Sequence, residues 1–288
     1  VTRQEVEQDV TGLSLLRLGE VRSFVVVSDV HVRSPEDARA VALVRWLNGL
    51  ERERAEALFL LGDVFDFVDA RSAYHRGLWR ALFLALAKVR ARGIAVYFVE
   101  GNHDFGFEHQ LVSALHGNFD GAGDCVFAIT HPVWGEVWLR HGDDVVCPPG
   151  YRHFRGLVKA RPFQAAAGLV PGLFTHTFFS AYARLSRTRD KYRALDPAFF
   201  RSCLERYFES VKVTGKVLPN ALVLGHVHVN LDVALNGVRT VAGPDWFSFP
   251  SAFFVHENGH AVREWIGYGS DAASGGTTVG RAAPEYTL

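Results

Sequence analysis

Apolar residues fall in two rhythms along the chain. Phe24-Val25-Val26-Val27 is short, β-branched and followed at once by polar Ser28-Asp29, the pattern of a buried strand. Ser34-Pro35-Glu36-Asp37 then offers a capping hydroxyl, a proline for the first turn and two acids. It predicts a helix with Val41, Val44, Trp46, Leu47 and Leu50 on its apolar side. Ala57 to Leu61 reads as a second strand ending in Gly62-Asp63. Trp79, Leu82, Leu86 and Val89 mark another amphipathic helix, closed by Gly93, and Ile94 to Val99 reads as a strand ending in Gly101-Asn102. Strand and helix in alternation predict parallel strands with helices on the sheet face.

The rhythm changes after about residue 125. Strands now follow one another, and Asn236-Gly237 and Asn258-Gly259 sit between β-rich runs, which predicts antiparallel hairpins. The intervening region 151–216 is rich in Ala, Leu, Phe and Arg and poor in β-branched residues, so it reads as a helical insertion. The expected organisation is a core of 20–150 and 217–267, a helical cap of 151–216, and a disordered tail of small polar residues over 268–288.

Composition narrows the class. With 288 residues, 48% of them hydrophobic, the chain can close a full core. Lys and Arg number 31 and so do Asp and Glu, so no global field draws the protein to nucleic acid, and no nucleic-acid partner is expected. Cys125, Cys147 and Cys203 form no C-x-x-C pair, which argues against a disulfide framework or a thiolate zinc site. The N-terminal VTRQEVEQDV lacks the features of a secretory signal, and no stretch approaches roughly 20 apolar residues. A soluble, cytoplasmic protein is expected.

The chemistry lies where polar residues follow strands. Asp29 and His31 follow the first strand, Asp63 and Asp66 the second, and Asn102, His103 and Asp104 the third. His141 follows Val137 to Leu139, and His226 and His228 follow Leu222 to Leu224. One such residue is ordinarily a turn residue. The ordered set D-x-H, G-D-x-x-D, G-N-H-D, H-G-D and G-H-x-H is not accounted for that way, and carboxyl ends of strands line the crevice where α/β sheets bind ligands. Carboxylate, imidazole and amide donors without thiolate suit Mn2+, Fe2+ or Zn2+. They are also too many for one ion. Two ions about 3.5–4 Å apart, bridged by a shared carboxylate, would use them and clamp both oxygens of a phosphoryl transfer.

In these five motifs the chain resembles the calcineurin-like metallophosphoesterases. The resemblance implies an α/β sandwich of two mixed β-sheets flanked by helices. It also implies one metal on Asp29, His31, Asp63 and His228 and a second on Asp63, Asn102, His141 and His226, with Asp63 bridging; Mn2+ is the favoured ion. His103 is left without a ligand role and is expected to donate a proton to the leaving oxygen, with Asp104 orienting its ring. Asp66 is expected to hold a ligating histidine.

Asp66 is followed by Phe67-Val68 rather than the Arg-Gly of the family's protein phosphatases. Instead, His141-Gly-Asp-Asp-Val-Val-Cys147, then Tyr151, Phe154 and Arg155, and Phe105 after the third motif, are similar to the UDP-2,3-diacylglucosamine pyrophosphohydrolases of lipid A synthesis. That resemblance implies hydrolysis of the diphosphate to UMP and 2,3-diacylglucosamine 1-phosphate under a cap that holds the acyl chains. His103 stands where the best-known branch has Arg, and Pro148-Pro149-Gly150 stands where acids are expected. Both departures favour a divergent branch or a paralogue acting on a related glycolipid or nucleotide-lipid diphosphate.

Two other readings stay open: a generic phosphodiesterase acting on nucleotides, and a non-catalytic binding module, whose mark would be missing ligands. In the cap, Arg155, Lys159, Arg184, Arg187 and Lys191 belong to a basic run with Asp190 as its sole acid between 151 and 195, while Phe174 and Phe178 share a helical face. Tyr151, these bases and these two rings are the expected substrate contacts, a guanidinium and apolar pairing suited to an acylated phosphate. The alternative is that the rings pack the cap on the core. A basic, apolar cap would also suit peripheral contact with the cytoplasmic face of the inner membrane.

Overall fold

A computed structural model of the chain describes residues 6–107, 118–179, 181, 196–244, 246 and 249–268. The apolar run that opened the sequence pattern becomes β3 (Phe24–Val27), buried on both sides. Phe24 and Val26 face an inter-sheet core, while Val25 and Val27 face helices. β4 (Ala57–Leu61) divides in the same way, with Ala57, Phe59 and Leu61 inward and Leu58 and Leu60 outward. Unbroken apolar runs of this kind need a covered sheet.

Two sheets result. The first runs β15 (Ala261–Trp265), β14 (Ser251–Val255), β3, β4, β6 (Ala95–Val99) and β8 (Gly121–Gly123), with β3, β4, β6 and β8 parallel. The second runs β1 (Val6–Gln8), β2 (Ser14–Glu20), β9 (Cys125–His131), β10 (Gly135–Arg140), β11 (Ala221–Leu224), β13 (Val238–Ala242) and β12 (Leu231–Leu235). Both sheets are mixed. Phe24, Phe59, Phe127, Leu139, Val223 and Val241 fill the space between them. A short parallel pair, β5 (Val68–Asp69) and β7 (Asp104–Phe105), joins two motif loops.

Helices cover the outer faces. α1 (Ala38–Gly49) and α3 (Arg80–Ala91), the latter preceded by α2 (Ala73–Leu78), bury Leu43, Leu47, Leu82 and Leu86 against the first sheet. α7 (Pro197–Val213) buries Phe200, Leu204, Tyr207, Phe208 and Val211 against Trp138 and Leu222 of the second. α4 (Tyr151–Lys159), α5 (Arg161–Gly168) and α6, helical residues 172–179, form the insertion.

Several expectations are corrected. The core begins before residue 20, because β1 and β2 extend the second sheet; in β2 only Leu15 is fully buried, so its sequence carries little apolar signal. The cap does not extend to 216, since α7 packs in the core from its Asp196 cap onward. α1 starts at Ala38, capped by Asp37 rather than Ser34, because Asp37 accepts from Arg39 N at 3.0 Å while Ser34 closes the preceding turn. Val41 is accordingly exposed and Leu43 takes its place inside. Asn236-Gly237 turns a two-residue hairpin with both φ positive, at 52° and 79°. Residues 269–288, most of the expected tail, lie outside the described residues.

Candidate metal centre

Each motif sits on the loop leaving a strand, and the backbone there is unusual. The non-glycine residues with positive φ among the described ones are Asp29, His31, Asp63, His226, His228 and Asn236, at 50° to 67°. Asn236 belongs to the hairpin; the other five are all expected ligands. Such conformations cost on the order of 1–3 kcal/mol each and persist where surrounding structure imposes them. Glycines let the loops close on one another. A Cβ on Gly62 would come within 2.7 Å of Gly101 and of His141 Nδ1, and one on Gly225 would come within 2.8 Å of Asp29 Oδ2.

Asp63 lies at the centre. Its Oδ1 accepts from His103 N at 3.0 Å, which turns Oδ2 toward three imidazoles. His31 Nε2 and His141 Nε2 stand 3.6 Å from Oδ2, and His103 Nε2 stands at 3.8 Å. These separations exceed hydrogen-bond range, so the groups converge on a shared space. Asp29 is held by His226 N, at 3.0 and 2.8 Å to its two oxygens, and by the Ser28 hydroxyl; His228 Nε2 lies 3.9 Å from its Oδ1. Among the described residues three overlapping groups could each hold an ion: Asp29, His31 and His228; His31, Asp63 and His103; and Asp63, His141 and His226.

The donors fit a divalent cation. His141 Nδ1 donates to Leu61 O at 2.8 Å, so the neutral ring has only a lone pair at Nε2, and that lone pair faces Asn102 Oδ1 at 3.2 Å. Two acceptors at that distance need a positive charge between them. Without a cation a proton on Nε2 takes that place: burial lowers His141, but Asp63 together with Asp29 and Asp143 outweighs it and lifts the imidazole to about 10, whereas burial and then His141 push His226 down to about 4. Burial also raises the Asp63 carboxyl, yet His103 and His141 together hold it well below the carboxylate range. The pocket therefore favours positive charge beside Asp63, on His141, and disfavours it on His226.

The sequence profile of the calcineurin-like phosphoesterase family matches residues 22–230. The chain belongs to that family. It is therefore a metal-dependent phosphohydrolase. It is 33% identical to the UDP-2,3-diacylglucosamine hydrolase of Neisseria meningitidis serogroup B over 228 residues, which cover 76% of this chain and 88% of that protein. It is 34% identical to the protein of the same name from Aeromonas salmonicida over 148 residues, 48% of this chain and 53% of that one. A dimetal phosphatase structure from Danio rerio overlays on 86% of this chain and 99% of its own at 16% identity and a TM-score of 0.42.

The calcineurin-like centre brings together Asp29, His31, Asp63, Asn102, His103, His141, His226 and His228. Asp66 lies 3.7 Å from His31 Nδ1, on the ring edge opposite Asp63. Asp104 does not orient His103. The His103 ring donates from Nδ1 to the Asp66 carbonyl at 2.8 Å, while the buried Asp104 carboxyl turns to Gly101 N at 3.4 Å. Burial and then Asp63 raise Asp104 to about 8.

In this phosphoesterase Arg155 and Lys159 of α4 do have acidic partners, contrary to expectation. Arg155 donates to Asp143 Oδ2 at 2.7 Å and spans both oxygens of Asp124; Lys159 donates to Glu100 Oε2 at 2.8 Å and to Asp104 O at 2.8 Å. Their side chains are 10% and 9% exposed, so neither offers a free fork to an anion. Tyr151 also turns inward, its hydroxyl donating to Asp143 at 3.2 Å. Phe174 and Phe178 do not pack on the core and are 66% and 67% exposed, whereas Phe179 stacks on Phe67 at 4.5 Å and seats α6. Arg184, Arg187 and Lys191 lie outside the described residues. Sequence reading assigned nothing to Ser28, Glu100 or Asp124; only Asp143 stood inside a motif.

Proposed function

We propose that the chain binds two divalent ions, with Mn2+ favoured, one on Asp29, His31, Asp63 and His228 and the other on Asp63, Asn102, His141 and His226. It uses them to split the diphosphate of an acylated UDP-sugar into UMP and the acylated sugar 1-phosphate, on the cytoplasmic face of the inner membrane. Such ions would acidify water and neutralise phosphoryl oxygens. The protein does the rest. Asp63 Oδ1, tied to His103 N, keeps Oδ2 aimed at both ligand sets. His103, with Nδ1–H fixed on the Asp66 carbonyl, turns Nε2 toward the space beside Asp63, from which it would give a proton to the leaving oxygen as water adds to phosphorus.

The observation that carries the substrate class is the polarity of the insertion. α4 turns Tyr151, Arg155 and Lys159 to the core and leaves Phe154 and Leu157 exposed, next in the chain to exposed Leu169, Leu173, Phe174 and Phe178. Exposed apolar side chains in that number suit acyl chains and a lipid surface. The names of the relatives from Neisseria meningitidis and Aeromonas salmonicida support the same substrate. No helix among the described residues is long and apolar enough to cross a membrane.

The test is turnover of UDP-2,3-diacylglucosamine by Mn2+-loaded protein, followed by phosphorus NMR, with Asp63→Ala as the control. UMP and the acylated sugar phosphate are the expected products, and Asp63→Ala should bind neither ion. Equal turnover of cyclic nucleotides would replace this reading with a generic phosphodiesterase.

A further inference from the structure

Tyr151, Arg155 and Lys159 are spaced four residues apart, so they share one face of α4, and that face meets two of the ligand loops. The first is the loop of Asn102. Glu100 stands at its start and accepts from Phe107 N, at its far end, at 2.6 Å, so this carboxylate closes the loop on itself. Lys159 then donates to the other oxygen of Glu100 and to the carbonyl of Asp104, and lies over the Phe105 ring at 4.6 Å from its centroid. The second is the loop of His141. Asp143 accepts from Arg155 and Tyr151, and the remaining guanidinium nitrogens reach Asp124, beside the start of β9.

The two gripped loops carry Asn102 and His141, whose side chains face each other at 3.2 Å. Their spacing decides whether one cation can bind both. The Asp29 carboxylate, by contrast, is fixed by Ser28 and His226 N.

We propose that α4 is a positioning clamp: Arg155 and Lys159 hold the His141 and Asn102 loops in register, so that affinity for the metal of the Asp63, Asn102, His141 and His226 set depends on the seating of the insertion. This rests on the two-ion reading above. It adds that the element presenting the apolar face to substrate also sets one metal site, and touches the other only through Asp63, which His103 N of the Asn102 loop holds. Coupling of this kind is reciprocal, so filling that metal site must in turn favour the seated helix.

The experiment titrates metal-free protein with Mn2+, reading free ion by electron paramagnetic resonance, for wild type, Arg155→Met, Lys159→Met and the conservative Lys159→Arg. Wild type should bind two ions. Each Met variant should weaken one ion by at least tenfold and the other, which shares only Asp63 with it, several-fold less, and Lys159→Arg should recover most of the loss of Lys159→Met. Should a Met variant lose its circular dichroism, hydrogen exchange on wild type decides instead, with the amides of 155–159 gaining protection as the weakened site fills. If wild type binds fewer than two ions, the two-ion reading fails and the clamp with it. If wild type binds two while the variants keep both affinities, weaken both alike, or show no change in α4 exchange, the clamp alone is refuted.

Discussion

Replacing Arg140 with Met should be among the most destabilising single changes to this protein, and its cost should shrink on acidification. The Arg140 guanidinium is fully buried behind the His141 loop. It bonds Asp9 of the N-terminal turn and Asp144 of the motif loop, Tyr207 OH of α7 at 2.7 Å and the Thr11 hydroxyl at 3.0 Å. Removing one partner of a buried ion pair costs about 3–5 kcal/mol, and here one cation serves two carboxylates. An upper bound per carboxylate comes from protonation: pH 7 lies about three units above an ordinary carboxyl, so neutralising one costs about 4 kcal/mol at 1.36 kcal/mol per unit. A loss of about 4–5 kcal/mol implies an apparent Tm roughly 8–20 °C lower. The sign with pH follows. In wild type, burial raises Asp9 but Arg140 and the Thr11 hydrogen bonds together outweigh it, so its pKa is depressed and its contribution is present above the unfolded carboxyl value and lost as pH falls through the folded one. Without Arg140 the same group gains stability as it takes up a proton. The assay is thermal melting of both proteins at pH 7 and pH 5. A deficit below about 1 kcal/mol, or one no smaller at pH 5, refutes the argument.

Other outcomes follow from the same geometry. His103→Ala should keep both metals yet lose about 10²–10⁴ in turnover, with the defect shrinking on a substrate whose leaving group needs no proton; an undiminished defect argues against proton donation. His75 is held at about 4 by burial and then His176, so its neutral form stabilises the fold fully above pH 6.5 and that stability is lost as pH falls toward 4. Wild type should therefore lose roughly 2 kcal/mol between pH 7.5 and 5, at 1.36 kcal/mol per unit, and His75→Phe markedly less, as read by urea unfolding at the two pH values. Replacing both Phe174 and Phe178 with Ser should cost about 2–3 kcal/mol of transition-state binding for an acylated substrate, roughly 30- to 150-fold in kcat/KM, and far less for a small chromogenic ester; equal losses would place these rings outside acyl recognition.

The sandwich and its ligand loops were legible because they depend on local signals. Phe24 to Val27 and Ala57 to Leu61 are continuous apolar runs, and a strand buried on both faces can be written no other way. The glycines before Asp63, Asn102 and His226 announce loops that pack within a Cβ of one another. β1 and β2 were not legible. Half-buried strands at the end of a sheet alternate too weakly, and what holds them, the Asp9 to Arg140 contact, joins residues 131 apart. Ser34 and Asp37 were both able to cap α1, and the choice fell to Asp37 through its bond to Arg39 N, which no pattern of types distinguishes.

The insertion shows a deeper limit. Arg155 and Lys159 were read as unpaired because their own segment holds one acid, yet their partners stand 12, 31 and 59 positions away. A charge excess counted along the chain says nothing about charge balance across a contact. The same helix explains the rings. With one edge spent on Glu100, Asp124 and Asp143, α4 leaves Phe154 and Leu157 facing outward beside Arg152 and His153, and Phe174 and Phe178 of α6 are likewise exposed. In an ordinary helix packed on a core, apolar residues go in and charges go out. Here Arg155 and Lys159 go in while Phe154 and Leu157 stay out, an inversion that fits the acylated substrate proposed above, whose chains would cover rings that water does not favour.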